Sequence, residues 1–435
     1  MKNTIRIFII LLFATAKMSA QNTDITACAN LWCNGTGVAD VDFMLIVADP
    51  GFPDDTLHNN IPNGNGCVTF AEAVPPTGFW TVTPAKDGDP LNGVNAFDLV
   101  LISKHILGLQ PLPSPYAMIA ADINKSSSIT TFDIVEGRKL IQGILTGFPS
   151  NTSWRFVYED YLFPLPQNPF SEPVPEIAGN VPNDSARFVG IKVGDVDCSA
   201  YPGFGSQNVE DRATATLTLP DANLQPGETF DIPLRMGESG EWLGLQLGLR
   251  YDPNLLEIEA VVPGSLIGME ESAVARPQPG LLNVVWFDAM PQVVLADENL
   301  LTLRVRALAP VRLSEAISIA KERISPEAYT ASEQTQKLQL EFTERSAMAG
   351  ETVVFAPQPN PTSAGAAIPL RLAQSETVML ELTDVSGKRL FFQQITLGAG
   401  AHLLDISATA LPQTGVYVWR VQAGKWAESG RLVKM

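Results

Sequence analysis

The chain has 435 residues, room for about three domains at roughly 150 residues each. Hydrophobic residues make up 45% of it, which supplies packed cores, so that disorder is not the default. With 47 acidic against 29 basic residues the formal net charge is -18, the wrong sign for a nucleic-acid binder and suited to solubility and cation binding. Gly and Pro number 33 each, which favours short strands joined by turns. The first residues read as an export segment. Lys2 and Arg6 precede the apolar run Ile5 to Ala16, too short for a membrane span, and cleavage fits after Ala16 or after Ala20. No later stretch is long and apolar enough to span a membrane, so the mature chain is expected to be soluble. In an oxidising compartment the four cysteines, Cys28, Cys33, Cys67 and Cys198, predict disulfides, with Cys67 paired to Cys28 or to Cys33.

Residues 21–84 read as a small β module. Val38 to Val47 opens with apolar and polar residues in alternation, Asn63-Gly64-Asn65-Gly66 is a turn, and Cys67 to Phe70 and Phe79 to Thr83 continue as strands. The pattern resembles the immunoglobulin-like or CnaB-like sandwiches of secreted bacterial proteins.

An internal repeat follows. Phe97-Asp98-Leu99-Val100 recurs 35 residues on as Phe132-Asp133-Ile134-Val135, and Lys104, Ile106 and Gly108 match Lys139, Ile141 and Gly143 in the same register. Each copy is a polar, acidic loop leading into an apolar stretch of helical period: Leu99, Ile102, Ile106 and Leu109 in the first, Leu140, Ile141, Ile144 and Leu145 in the second. Gly108 and Gly147 stand where helices end. Ca2+ needs six to eight oxygens from a compact turn of chain. In the second copy Asp122, Asn124, Ser126, Ser128 and Thr130 offer them at positions 1, 3, 5, 7 and 9, and Asp133 closes the loop at position 12. The first copy offers Asp87 and Asp89 at 1 and 3, Leu91 through its carbonyl only at 5, Asn95 at 9 and Asp98 at 12. The turn at position 6 falls on Asn92 or Ser127. This pair, over about Asp87 to Gly147, resembles a type I dockerin. The resemblance implies two calcium ions and docking onto a cohesin-type partner.

Residues 148–212 read as an irregular extension of the same module, rich in Pro and aromatics. They either pack over the helical core or present a recognition surface. Gly194-Asp195-Val196-Asp197 has the start of another calcium loop, but Cys198 to Gly203 does not complete it. From Ala213 alternating strands return: Thr214 to Leu219, Thr229 to Leu234, Leu243 to Tyr251, Leu281 to Phe287 and Leu300 to Leu308. The turn Gln225-Pro226-Gly227-Glu228 and the strand end Leu249-Arg250-Tyr251-Asp252-Pro253 resemble a cohesin or a related carbohydrate-binding sandwich over 213–345. Residues 353–435 open with Pro357-Gln358-Pro359-Asn360-Pro361. Asp384 to Lys388 makes a hairpin turn, Leu411 to Val418 runs into a last strand, and the chain closes on Arg431-Leu432-Val433-Lys434. This segment resembles the type A C-terminal sorting domain of the type IX secretion system of Bacteroidetes. It implies recognition at the outer membrane and removal of the domain.

No catalytic set emerges. Histidines are three, His58, His105 and His402; there is no HExxH, no G-x-S-x-G and no Gly-rich phosphate loop. The expectation is a mainly β, multi-domain protein: immunoglobulin-like and other β-sandwich modules with a small helical dockerin-like calcium-loop pair. It is expected to be a non-catalytic, exported protein of adhesion or assembly. Its partner would be a cohesin-type protein or its own sandwich, through an apolar helix face of Ile106, Leu107, Ile141 and Ile144. The alternative is an accessory of polysaccharide breakdown, favoured if Trp242 and Trp286 lie side by side on an open face.

Overall fold

The computed structural model describes residues 22–49, 54–60, 66–75, 78–179, 184–203, 212–296, 298–344, 352–372, 375–398, 400–424 and 426–435. The expected export segment with both of its cleavage positions, and most of the expected turn at 63–66, lie outside the described residues. The chain is mainly β, in three sandwiches with a layer of helices between the first two.

The first sandwich begins with β1 (Thr23–Leu31), β2 (Asp42–Ala48), β3 (Asp55–Asn60), β4 (Cys67–Val74) and β5 (Phe79–Ala85). Three helices follow: α1 (Ala96–Ile106), α2 (Pro115–Ala121) and α3 (Thr131–Gln142). The chain then returns as β6 (Trp154–Tyr158), β7 (Ala178–Gly179) and β8 (Ser185–Lys192). The two sheets have the orders β4-β1-β8-β6 and β3-β2-β5-β7. The stretch read as an irregular connector therefore supplies three strands of the first sandwich, and the helices are an insertion into it. β8 lies parallel to β1, Thr26 opposite Ser185 through Leu31 opposite Gly190. These late strands carry no clean alternation because both of their faces are buried. Trp154, Phe156, Ala186 and Phe188 join the sandwich core, whereas Val157 and Ile191 join a second core with Ile102, Ile119 and Ile123 beneath the helices. Among the pairings left open by the cysteines, Cys67 takes Cys28, across the β1–β4 ladder, and Cys33 takes Cys198.

The second sandwich is a ten-stranded sheet folded on itself. Its strands are β9 (Thr214–Asp221), β11 (Thr229–Met236), β12 (Gly240–Tyr251), β13 (Leu256–Pro263), β14 (Val274–Gln278), β15 (Leu281–Val294), β16 (Asn299–Ala307), β18 (Ile317–Ala320), β19 (Glu327–Thr330) and β20 (Thr335–Glu344). The order is β13-β16-β11-β9-β20-β19-β12-β15-β14, with β18 also on β12. The small pair β10 (Asn223–Leu224) and β17 (Val311–Arg312) and the one-turn helix α4 (Leu313–Ala316) complete it. Alternation sorts β12 and β15 into two faces. Leu245, Leu247, Leu249, Leu282, Val284 and Trp286 point into the core, and Gly244, Gln246, Gly248, Asn283, Val285 and Phe287 alternate with them on the other face. Trp242 and Trp286 are both buried in this core, so neither forms an open aromatic platform.

The third sandwich pairs β21 (Val353–Val354), β22 (Ala366–Leu372) and β25 (Gly400–Ile406) against β23 (Glu376–Asp384), β24 (Arg389–Leu397), β26 (Gly415–Ala423) and β27 (Trp426–Lys434). It has its own core around Ile368, Leu380, Leu404, Trp419 and Leu432. The expected turn at Asp384 to Lys388 is present, with Asp384 N–H donating to Lys388 O. Among the described residues no helix is long and apolar enough to cross a membrane.

The assignment of 185–192 to the first core is directly testable. Phe188, 1% exposed, packs in that core near Phe43. Phe188→Ala should destabilise the protein by about 3–5 kcal/mol in denaturant unfolding. A cost under about 1 kcal/mol would place this strand outside the core.

Candidate cation loops and docking face

The second polar loop leads into α3 as the spacing predicts. Thr130 caps the helix and Asp133 completes a capping box. Asp133 Oδ2 accepts from Thr130 N–H at 2.8 Å, and its Oδ1 accepts from Asn124 N–H at 3.1 Å. Asp122 accepts from Ser126 N–H at 2.8 Å and from Ser127 N–H at 3.0 Å. Ser126 Oγ donates to Ser128 O at 3.1 Å. Lys125 and Ser127 take the left-handed conformation, with φ 57° and 62°. Asp122, Asn124, Ser126, Ser128, Thr130 and Asp133 thus share one compact turn. Gly143, in the left-handed region at φ 83°, ends α3, rather than Gly147.

The first loop is built differently. Asn95 caps α1, and Asp98 Oδ2 accepts from Asn95 N–H at 2.9 Å. Its Oδ1, however, accepts from Val196 N–H at 2.8 Å and Asp197 N–H at 3.3 Å. Among the described residues one group of three carboxylates has oxygens within 4.8 Å of one another: Asp98, Asp195 and Asp197. Asp87 and Asp89 are not in it. Asp87 instead accepts from Ser153 N–H at 2.9 Å, and the Leu91 carbonyl accepts from Val94 N–H at 3.0 Å. The segment 195–200 repeats the second loop bond for bond, 73 residues on. Ser199 N–H donates to Asp195 Oδ1 at 2.9 Å and to Asp197 Oδ1 at 3.0 Å, and Ala200 N–H donates to Asp195 Oδ2 at 3.2 Å. Ser199 Oγ donates to Gly93 O at 2.9 Å, in the place of Ser128 O. The loop start at Asp195 is therefore completed by Gly93, Asn95 and Asp98, which precede it in the chain. The signal for this was present: Asp195-x-Asp197-x-Ser199 matches Asp122-x-Asn124-x-Ser126. Reading a loop only as forward, contiguous chain hid it.

Both loops offer hard oxygen donors alone, the set a calcium ion takes. Asp98 and Asp195 are fully buried, and burial, with repulsion from Asp197 on both and from Asp195 on Asp98, pushes both carboxyls well above the usual carboxylate range. Burial also raises Asp122. Close by, Lys192 is wholly buried beneath the first loop. Burial lowers its ammonium to about 8, against the pull of Asp195, Asp89, Asp98 and Asp87, and Nζ donates to Pro90 O and Val193 O.

The helix pair lies on the outward face of the second sandwich. Val94, Ala96, Phe97, Val100, Leu140 and Ile141 form one core with Leu243, Val285, Ile324 and Tyr329, and the Phe97 and Tyr329 rings stack at 5.4 Å. Of the four residues expected to make this face, Ile141 does so. Ile106 packs partly into the core beneath the helices, and Leu107 and Ile144 are 64% and 55% exposed. Gln246, flanked on its face of β12 by Gly244 and Gly248, accepts from Ala96 N–H at 2.8 Å, a free donor of the first turn of α1. At the other helix, Asn283 donates to Gln142 O at 2.9 Å, and Arg323 Nη2 donates to Leu140 O and Leu145 O, each at 2.9 Å. The sandwich therefore satisfies one end of each helix, and Arg323 also meets the negative end of the α3 dipole. Arg138 lies over the Phe287 ring at 4.6 Å and donates to Ser272 Oγ, and Lys104 pairs with Glu333 at 2.5 Å.

Gly93 shows how tightly the split loop closes. Its φ is 75°, and a Cβ there would lie 2.5 Å from Ala200 N. Gly108, at φ 69°, has nothing within 4 Å. Gly108→Ala should cost only the left-handed strain, about 1–2 kcal/mol, and Gly93→Ala distinctly more, because the two halves must part. Equal losses on thermal unfolding would contradict this packing.

Residues 215–336 match the family model of the cohesin domain. No curated protein matches the chain. Similar solved structures include the sixth cohesin of scaffoldin B from Acetivibrio cellulolyticus in complex with a Cel5 dockerin mutant, at 16% identity, covering 31% of this chain and 100% of that one, with a TM-score of 0.24. A non-cellulosomal cohesin from the archaeon Archaeoglobus fulgidus matches at 19% identity, 31% and 92% coverage, and a TM-score of 0.22. A type I cohesin–dockerin complex from Clostridium thermocellum matches at 12%, 30% and 99%, and 0.24. The stretch that supplies the docking face, residues 215–336, is on the family match a cohesin-like β-sandwich.

Proposed function

We propose that this protein is an exported, non-catalytic assembly module in which a calcium-loaded, dockerin-like helix pair is seated on the chain's own cohesin-like face. The observation that carries this reading is the shared core of α1, α3, β12, β15 and β19, with the helix ends satisfied by Gln246, Asn283 and Arg323. A cohesin domain is a protein-interaction module without catalytic function, and its face here is matched in chemistry by the helices beside it. Calcium supports the closed form on electrostatic grounds. Asp197 faces Glu327, whose carboxyl burial holds up, across the contact. A divalent cation among Asp98, Asp195 and Asp197 offsets that repulsion. An open pair of tryptophans would have favoured the polysaccharide alternative, and Trp242 and Trp286 are instead buried.

The two halves, expressed as residues 22–212 and 213–345, should associate in calorimetry with calcium and lose affinity with chelator. No association at high concentration would place the partner of each face on another protein. In the full mature chain, calcium at 100 times its Kd should stabilise the folded state by about 2.7 kcal/mol per site. Asp122→Ala with Asp133→Ala should remove the contribution of one site, Asp98→Ala with Asp195→Ala that of the other, and Asp89→Ala neither. No thermal shift in the unaltered chain would refute calcium binding.

The export route is inferred from the two ends of the sequence. We assign the segment before Ala20 to secretion and residues 353–435 to type IX sorting. Mass spectrometry of culture and surface fractions should find chains ending upstream of about Val353. Intact protein ending at Met435 outside the cell would contradict this.

A further inference from the structure

The two cation loops differ in what holds them shut. In the second, Asp122 and Asp133 stand 11 residues apart, and the backbone between them keeps the loop closed. In the first, Asp98 precedes Asp195 by 97 residues, so no short stretch of chain joins the two halves. The loop end is tied back instead. Asn92 Nδ2 donates to Tyr201 O at 2.7 Å and Tyr201 N–H to Asn92 Oδ1 at 2.9 Å, and Ala39 N–H donates to Pro202 O at 2.8 Å. The one covalent tie is at Cys198, between Asp197 and Ser199, and it reaches Cys33 with a Cα separation of 6.3 Å.

The position of Cys198 within the loop is informative. It takes φ 64°, as Lys125 takes φ 57° at the matching place of the second loop. That place asks only for a left-handed residue, which Gly or Asn would supply at less strain than Cys. The thiol is thus not there for the turn. Its partner, Cys33, is held by a tight turn at the end of β1, where Gly35 N–H donates to Leu31 O at 2.9 Å, Leu31 N–H to Thr36 O at 2.7 Å and Trp32 N–H to Gly190 O at 3.1 Å. A rigid post on the first sandwich therefore carries the middle of the acidic segment.

We propose that the Cys33–Cys198 disulfide is a redox latch for the first cation loop, so that this site reaches full affinity only after the chain has been oxidised. The inference rests on the calcium reading above and adds its regulation. The step is thiol–disulfide exchange with a disulfide-bearing oxidant. The thiolate of one cysteine attacks the donor disulfide to give a mixed disulfide, and the thiolate of the other displaces the donor. Cys33 and Cys198 are oxidised by two electrons, and the donor leaves as a dithiol that takes up the two protons. While the cysteines are reduced, the segment from Asp195 to Ala200 is pinned by hydrogen bonds alone, and ordering it is charged against cation binding. In a reducing compartment the second loop can load, but the first, next to the docking face, loads weakly. Closure of the helix pair onto the sandwich is thereby delayed until after export.

The test is calorimetric titration of calcium into the full mature chain, comparing the oxidised protein with Cys33→Ser/Cys198→Ser and with Cys28→Ser/Cys67→Ser. The oxidised chain and the second variant should each show two sites. The first variant should keep the Asp122–Asp133 site unchanged, which also reports that it is folded, and bind at the other at least tenfold more weakly. As a measurement free of any variant, calcium should shift the Cys33–Cys198 couple of the unaltered chain toward the disulfide by the same factor, about 30 mV for tenfold, read by alkylation in dithiol/disulfide buffers. Equal affinities in all three proteins, or a couple indifferent to calcium, would overturn the latch. Oxidised, unaltered protein that binds no calcium would remove the calcium reading and the latch with it.

Discussion

The parallel ladder between Thr23–Leu31 and Ser185–Lys192 is the constraint on which the rest of this architecture depends. By returning the chain to the centre of the first sandwich, it turns the helical segment from a bead on a string into an insertion with both ends fixed. Residue 193 and onward then emerge beside the N-terminus of α1, where Val193 N–H meets Ser153 O and Gly194 N–H meets Ala120 O. Only from that place can Asp195 and Asp197 reach Asp98. A parallel pair requires a long crossover between its strands, and here the connection holds six strands of the same sandwich, β2 to β7, as well as the three helices.

The helix layer is covered on two sides. One side closes over Val157 and Ile191 of the first sandwich, the other over Val285 and Tyr329 of the second. Burial of apolar surface on both sides explains why short helices of 11 and 12 residues, marginal by themselves, are stable here. Polar groups then set the register. A helix end buried against a sheet leaves donors and acceptors that must be satisfied, and Gln246, Asn283 and Arg323 are placed to do so. Such bonds discriminate, because a displaced helix would strand its own backbone and the buried amides together.

The electrostatics of the first loop follow from the same closure. Three carboxylates drawn together beneath a protein layer, with an uncomfortable ammonium at Lys192 nearby, make a region whose charge is expensive without a cation. Its neighbour across the contact, Glu327, is held by Arg212 and Tyr329. In the proposed calcium-loaded state, cation occupancy, loop closure and the seating of the helices are in this way terms of one balance.

Much was legible in the sequence because it was local. The strand alternation of Leu243 to Tyr251, the polar loop from Asp122 to Asp133 that leads into a helix, and the hairpin turn at Asp384 all follow from periods and spacings within a dozen residues or so, the scale on which backbone geometry acts. The cohesin-like character of 213–345 was readable for the same reason. What the tertiary structure alone decided is which distant pieces meet. Trp154–Tyr158 and Ser185–Lys192 read as irregular because they are buried on both faces, which erases alternation. Asp195 to Ser199 read as an unfinished loop because its closing residues come earlier in the chain. The pairing of Cys33 with the distant Cys198, which leaves Cys28 to Cys67, and the choice of Phe97 rather than Leu107 for the face against the second sandwich, likewise depend on where the β1–β8 ladder returns the chain. Sequence spacing records local geometry, and long-range pairing is set by packing, which leaves no period to read.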